Sequence, residues 1–136
     1  MIQRLAQRLQ LTHLSRDPVW IQAADAAGIE RIGIDIERIG KHSRQSMVAD
    51  ARISDHELRD LHVVCAHAMH AKPFARLNRP YAGTAKEVEE ALAFGARSLM
   101  LPGFDTVRQV EDFVASVAGR AEVILLLETR PATERL

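Results

Sequence analysis

Cysteine is almost absent from this chain: Cys65 is the single one in 136 residues. One thiol excludes an internal disulfide and cannot by itself make a zinc knuckle, so it reads as small packing in a reducing, cytoplasmic compartment. An excess of charge is absent too. Lys plus Arg and Asp plus Glu stand at 18 each, net zero, which removes the electrostatic footprint that a nucleic acid or an acidic membrane would need. No run approaches the roughly 18 apolar residues of a membrane span. The opening MIQRLAQRLQL places Ile2, Leu5, Leu9 and Leu11 between Arg and Gln, which suits an amphipathic helix and lacks a signal peptide's apolar core. A Gly-rich turn after the first strand is missing as well; LSRDP stands there, against a dinucleotide site. Gly40-Lys41 lacks the frame of a P-loop. No repeat is visible, which argues against a solenoid.

What is present is an alternation of strands and helices in a chain the size of one domain, 47% hydrophobic and able to bury a core. Leu11 to Leu14 is a short first strand. Asp17-Pro18 reads as an N-cap with proline at the first helical position, opening a helix that Gly28 ends. RIGIDIE, Arg31 to Glu37, alternates Ile with polar or small residues and reads as strand two; Gly40 to Asp55 is a polar loop. Ser54 with Glu57 has a capping-box pattern that would open a helix over Asp55 to His70. Lys72-Pro73 breaks it before strand three, Phe74 to Asn78. Thr84 with Glu87 is a second capping-box pattern, for a helix closed by Gly95. Ser98 to Leu101 is strand four, and Thr106 caps a helix with Val107, Val110, Phe113, Val114 and Val117 on its apolar face, ended by Gly119. The last strand is VILLLE, Val123 to Glu128, an apolar run that reads as buried on both faces and ends on one carboxylate.

Such units predict an α/β fold with a parallel sheet. A (β/α)8 barrel needs about 250 residues. The expectation is therefore a single partial barrel domain over residues 1–136, the N-terminal portion, with about five of the eight strands of a TIM-type barrel. Strand ends are where chemistry sits in such folds. Asp35 and Glu37 close strand two, Arg76 and Asn78 close strand three, Pro102-Gly103 follows strand four, and Glu128 closes strand five. Carboxylates without a histidine or cysteine alternative suit a hard divalent ion, Mg²⁺ first and Mn²⁺ second. An arginine beside them can neutralise charge developing on a substrate oxygen. The bland reading is that these charges solvate the strand ends or pair with one another, Arg76 with Glu37.

DIERIGKHSRQ at Asp35 to Gln45, ARLNRP at Ala75 to Pro80, the AxxxGARSLMLP stretch ending at Pro102, and LLLETR at Leu125 to Arg130 together resemble the HpcH/HpaI aldolase and citrate-lyase β-subunit family. The resemblance runs from about Leu11 onward and covers the N-terminal half of the family domain. It implies a metal-dependent carbon-carbon lyase or aldolase acting on a 2-oxo acid or acyl-CoA, in an oligomeric barrel. By it, Glu128 matches a metal ligand, and Arg76 the arginine that holds the substrate's carboxylate and oxo group. Asp35 and Glu37 match the acidic pair after strand two, and Pro102 and Gly103 line the substrate. Two departures stand out. The family's pyruvate aldolases carry a histidine directly after the strand-two glutamate, and here Arg38 stands there. Their second metal ligand, an aspartate further along, falls beyond Leu136, so the 136-residue chain alone is expected to lack lyase turnover.

Other candidates read more plainly. His67 and His70 sit three apart on the expected helix, with His62 a turn away, a spacing open to a metal or to none. His56 reads as capping or as a proton-transfer group, and His13 as a core histidine or a residue of the barrel mouth. Lys41, Arg44 and Gln45 could meet a substrate phosphate or a neighbouring subunit. Met47, Met69 and Met100 form no stripe and read as packing. A second functional class stays open beside the lyase: a non-catalytic half barrel, binding or regulatory, that completes its sheet by homo-oligomerisation, since an open sheet leaves edges exposed.

Overall fold

The computed structural model describes residues 9–39 and 54–135. Five parallel strands, β1 (Thr12–Leu14), β2 (Arg31–Asp35), β3 (Lys72–Arg76), β4 (Ser98–Leu101) and β5 (Glu122–Leu125), stand side by side in the order of the chain. The expected opening helix and most of the loop from Gly40, with Lys41, Arg44, Gln45 and Met47, lie outside the described residues. Helices α1 (Pro18–Ala26), α2 (Leu61–His67), α3 (Thr84–Ala93), α4 (Val107–Val117) and a one-turn α5 (Arg130–Thr133) alternate with the strands. Sequential strand order agrees with the expected partial barrel and not with a doubly wound sheet. A doubly wound sheet reverses direction at a switch point, whereas successive barrel strands advance one neighbour at a time.

The register sorts the side chains into two faces. Ile32, Ile34, Ala75, Leu99 and Leu101 point one way and are fully buried with Ile21, Leu61, Val64, Val88, Ala91, Phe113 and Val117 of the helices. Arg31, Gly33 and Asp35 on β2, Lys72, Phe74 and Arg76 on β3, and Ser98 and Met100 on β4 share the opposite face. On that face Arg31 reaches Glu122 of β5, three strands away, with Nε and Nη2 at 2.9 and 2.8 Å from the two carboxylate oxygens. Strands lie about 4.8 Å apart and side chains stand off the sheet, so this contact requires a sheet curled toward its polar face, as in a barrel wall. Gly33 fits the close approach of β2 and β3: a Cβ there would lie 1.7 Å from the Phe74 carbonyl oxygen.

Two helix starts are built as expected. Asp17 Oδ1 accepts from the Val19 N–H at 2.8 Å, and Thr106 with Gln109 forms a reciprocal capping box at 3.3 and 3.1 Å. Others differ. The helix expected over Asp55 to His70 is a 3₁₀ turn, Leu58–Asp60, followed by α2. Its cap pair is Glu57 with Asp60, whose Oδ2 accepts the Glu57 N–H at 2.9 Å, while Ser54 Oγ takes the His56 N–H. The buried Asp25 stops α2 early by accepting the N–H groups of Met69, His70 and Ala71 at 3.0, 3.0 and 2.7 Å. His70 therefore lies past the helix end, with Nδ1 3.1 Å from Asp25, and His67 Nδ1 meets the Val63 carbonyl. The two histidines do not share a helical face.

β5 ends at Leu125, three residues before Glu128. One more ladder bond, Leu126 N–H to the Leu101 oxygen at 3.0 Å, follows before the chain turns away. Leu125 and Leu127 are each 42% exposed, against the expectation of burial on both faces. Among the described residues β5 has a partner on one side only, β4, which leaves half of an apolar strand uncovered. No described helix is long and apolar enough to cross a membrane.

Candidate active site

Asp35 and Arg76 are the last residues of adjacent strands and direct partners in the ladder. Sharing one face, they meet edge to edge: Arg76 Nε donates to Asp35 Oδ1 at 3.0 Å and Nη2 to Oδ2 at 2.5 Å. Such a forked pair fixes the plane of the guanidinium as well as its place. Two residues on, the backbone N–H of Glu37 turns back to Asp35 Oδ1 at 3.0 Å, and Glu37 Oε2 stands 3.6 Å from Arg76 Nε. Both carboxylates are buried, at 5% and 4% exposure, and buried charge is tolerated only where it is paired. The hydrogen bonds Arg76 donates to Asp35, then the charges of Asp35, Glu37 and Glu128, raise the Arg76 pKa above its ordinary value.

The segments beyond these strands are tied together by Asn78. Its Oδ1 accepts the N–H groups of Arg38 and Ile39 at 2.7 and 3.1 Å, joining the end of β2 to that of β3. Its own N–H and Nδ2 each donate to the buried carboxylate of Glu87 at 2.8 Å, which also takes the Tyr81 hydroxyl at 3.0 Å. Glu87 is thus a bracket for the site and not the helix cap that the Thr84 pattern suggests. α3 starts from Gly83, and Thr84 Oγ1 instead exchanges hydrogen bonds with the Tyr81 backbone.

Arg38, which replaces the histidine implied by the resemblance, reaches the His56 carbonyl at 2.8 Å. A different histidine stands at this strand end. His56 Nδ1 accepts the Asp35 N–H at 3.1 Å, and burial followed by the charge of Arg16 pushes its pKa down. Both observations hold the imidazole neutral near pH 7, with the proton on Nε2.

Glu128 lies beyond β5 but returns to the β4 end, where its Oε1 accepts the Gly103 N–H at 2.9 Å. Gly103 has φ +59°, a left-handed conformation that favours glycine, and follows the buried Pro102. Arg79, which the sequence reading passed over, lies on the other side of Gly103, with Nη2 3.5 Å from the Gly103 carbonyl and 3.4 Å from Asp105 Oδ2. It lies inside ARLNRP, but only the crossing of two loops brings it to Gly103. The residues named from the sequence thus fall into an Asp35–Glu37–Arg76 group and a Glu128–Gly103 pair, linked through the charge of Glu128 felt at Arg76. No group of three His, Cys, Asp or Glu among the described residues could hold a metal ion. In kind, the donors suit a hard ion; in number, Glu128 alone is not a cage.

No protein-family model matches the chain, and no curated protein matches it in sequence. Solved structures do match in fold. An HpcH/HpaI aldolase from Desulfitobacterium hafniense DCB-2 superposes with a TM-score of 0.57 at 13% identity, over 98% of this chain and 47% of its own. The citrate synthase SbnG gives 0.54 at 20% identity, over 82% and 40%. A mandelate oxidase variant with benzaldehyde gives 0.58 at 18% identity, over 86% and 41%. The chain spans less than half the length of each, and the third shows that this fold also hosts other chemistry. The motif resemblance to HpcH/HpaI aldolases is therefore matched in fold: five successive strand–helix units of a TIM-type barrel, covering part of that domain.

Proposed function

We propose that the chain is the strand-one-to-five portion of a metal-dependent carbon-carbon lyase or aldolase that acts on a 2-oxo acid or acyl-CoA through an enolate. The observation that supports this most is the forked Asp35–Arg76 pair with Glu37 beside it, at the ends of parallel strands in an aldolase-type barrel. A guanidinium whose Nε and one Nη2 proton are spent on Asp35 presents its remaining edge in a fixed direction. Pointed at the oxo oxygen and carboxylate of a substrate, it favours the negative charge that grows there as the carbon-carbon bond breaks. Asp35 and Glu37 hold that guanidinium in place. On this reading the substrate chain would run toward Pro102 and Gly103 at the end of β4.

Glu128 is the residue that would hold a divalent ion, Mg²⁺ or Mn²⁺, with further ligands from outside the described residues. When bound, such an ion supplies Lewis-acid charge to the oxo group. With one carboxylate in place of a cage, the chain by itself is expected to bind without turning over. The reading places it in the cytoplasm, with a small-molecule partner and no nucleic acid or membrane.

Calorimetric titration of the purified chain with pyruvate, Mg²⁺ present, is the direct test. Pyruvate is expected to bind, and Arg76→Gln to weaken it about 10-fold or more, the scale of one lost charge-assisted contact. Glu128→Gln is expected to remove the Mg²⁺ dependence. Absence of pyruvate binding, or binding indifferent to both substitutions, sinks the proposal. The exposed edge of β5 favours a second reading, a binding subunit that completes its sheet with another copy. Sedimentation separates the two readings: a tight dimer that binds no 2-oxo acid supports the second.

A further inference from the structure

Two histidines that the lyase reading does not use are set for metal chemistry of another kind. His67, the last residue of α2, and His70, three residues on, do not share a helical face, yet they line one cavity of about 280 Å³ together with Gln22 and Asp25 of α1. Each ring has its Nδ1 committed. His67 Nδ1 stands 2.9 Å from the Val63 carbonyl oxygen, and His70 Nδ1 3.1 Å from Asp25 Oδ2. A carbonyl and a carboxylate only accept, so Nδ1 carries the proton on both rings and, in the neutral imidazole, the free lone pair is on Nε2. Among the described residues neither Nε2 has a hydrogen-bond partner.

Histidines that ligate metals almost always donate their other ring N–H to a carboxylate, a backbone carbonyl or water, which fixes the tautomer and aims the ring. A carboxylate serves His70 here and a carbonyl serves His67. Asp25 is itself held in place: its side chain is 7% exposed and accepts the N–H groups of Met69, His70 and Ala71. The His70 side chain, 84% exposed, keeps this side of the cavity open to solvent. We infer that the Nε2 atoms of His67 and His70 bind an imidazole-seeking divalent ion, Zn²⁺ first, with Asp25 and the Val63 carbonyl orienting the two rings. Imidazole suits zinc and nickel, whereas Mg²⁺ prefers oxygen, so this site is distinct from the one proposed at Glu128. No group of three His, Cys, Asp or Glu among the described residues could hold a metal ion. Water therefore fills the remaining positions, and the ion exchanges with solvent instead of being locked in a closed four-ligand site. Bound there, it ties the last turn of α2 to the segment entering β3 and favours the folded chain by mass action.

Zinc titration of the full chain, stripped of metal and of any affinity tag and with Mg²⁺ present throughout, is the test. Calorimetry is expected to give one Zn²⁺ per chain, and the thermal unfolding midpoint to rise with Zn²⁺. His67→Ala and His70→Ala are each expected to weaken binding by about 10-fold or more, and Asp25→Asn by about 10-fold, the lower range for loss of a group that orients a ligand. His62→Ala, whose ring lies edge-on to Phe94 and outside the cavity, is expected to leave the affinity unchanged. Should Asp25→Asn fail to fold by circular dichroism, NMR of the ring nitrogens in the wild-type chain tests the same point. Both rings are expected as the Nδ1–H tautomer, with both Nε2 signals moving on addition of Zn²⁺. Binding indifferent to His67 and His70, an equal loss in His62→Ala, or Nε2 signals that do not move overturns the inference. None of these outcomes touches the lyase reading, which stands or falls on pyruvate.

Discussion

Two arginine–carboxylate clusters stand on the polar face of the sheet, one at the strand starts and one at the strand ends. At the starts, Arg31 forks onto Glu122 at 2.8 and 2.9 Å, Ser98 Oγ donates to the same carboxylate at 2.9 Å, Lys72 Nζ lies at 3.7 Å, and Gln10 accepts from Arg31. The Arg31 side chain is 10% exposed. The hydrogen bond from Arg31, helped by Ser98 and the charges of Arg31 and Lys72, lowers the Glu122 pKa to about 2. At the ends, the Asp35–Arg76 fork is equally tight, but around it lie a one-third-exposed Arg79 with long contacts, a neutral His56 and the exposed Glu128. The first cluster links β2 to β5 and closes the curve of the wall; the second links only neighbours and keeps donors unspent. The same residue types therefore serve shape at one end and, on the proposal above, chemistry at the other, as expected when barrel strand starts carry stability and strand ends carry the site.

Gly33 lies between the two clusters on the same face of β2, and Gly33→Ala is the change that should disturb both. Its new Cβ meets the Phe74 carbonyl oxygen at 1.7 Å, so the β2 and β3 backbones must part. A loss of about 3 kcal/mol or more is expected by urea denaturation, the upper range for overpacking. A loss under about 1 kcal/mol would mean that the two strands do not approach as described.

Next in size is Arg31→Met, expected to cost about 2–3 kcal/mol, below the figure for a fully buried pair because the Glu122 side chain is 29% exposed. Acid sharpens the point. A carboxylate whose pKa is lower folded than unfolded binds fewer protons in the native state, so its stabilisation is whole above the unfolded value and lost as pH falls through the folded one. For Glu122 that window runs from about 4.5 down to about 2. Asp25 has a window from 3.8 to about 2: burial alone would raise it, but the backbone donors of Ala71, Met69 and His70 outweigh that. The wild-type chain should therefore lose stability steadily below about pH 4.5. Arg31→Met should show a shallower acid slope, with the Asp25 part remaining; an unchanged slope would remove Glu122 from the account.

The strands were legible because a period-two pattern such as RIGID reports a two-faced environment directly, and Asp17-Pro18 and Thr106 were legible because a cap is a contact within four residues. Asp35, Glu37, Arg76 and Glu128 could be named as strand-end residues for the same local reason, although their roles rest on the proposal. Long-range polar partners were not legible. Glu87 follows Thr84 at capping-box spacing, yet its carboxylate serves Asn78, and only the return of the β3 end over α3 makes that so. Asp25 shortens α2 from 44 to 46 residues away, a distance at which no pattern in either segment points to the other. VILLLE misled in a different way. An aliphatic run records what could be buried on both faces, not whether a neighbour stands on each side.

Arg79→Gln should have the smallest effect on stability, and that is what makes it the sharpest test of the contrast between the two ends. Its contacts are 3.4 and 3.5 Å long, and both it and Asp105 are about one-third exposed. Exposed ion pairs contribute about 0–1 kcal/mol, so a change within about 0.5 kcal/mol is expected in the same urea titration that registers Arg31→Met. Substituting one arginine at each end then separates a residue that holds the barrel wall from one available to a ligand. A loss for Arg79→Gln as large as that for Arg31→Met would make the strand-end arginine a structural element like its counterpart, and the division of labour between the two clusters would fall.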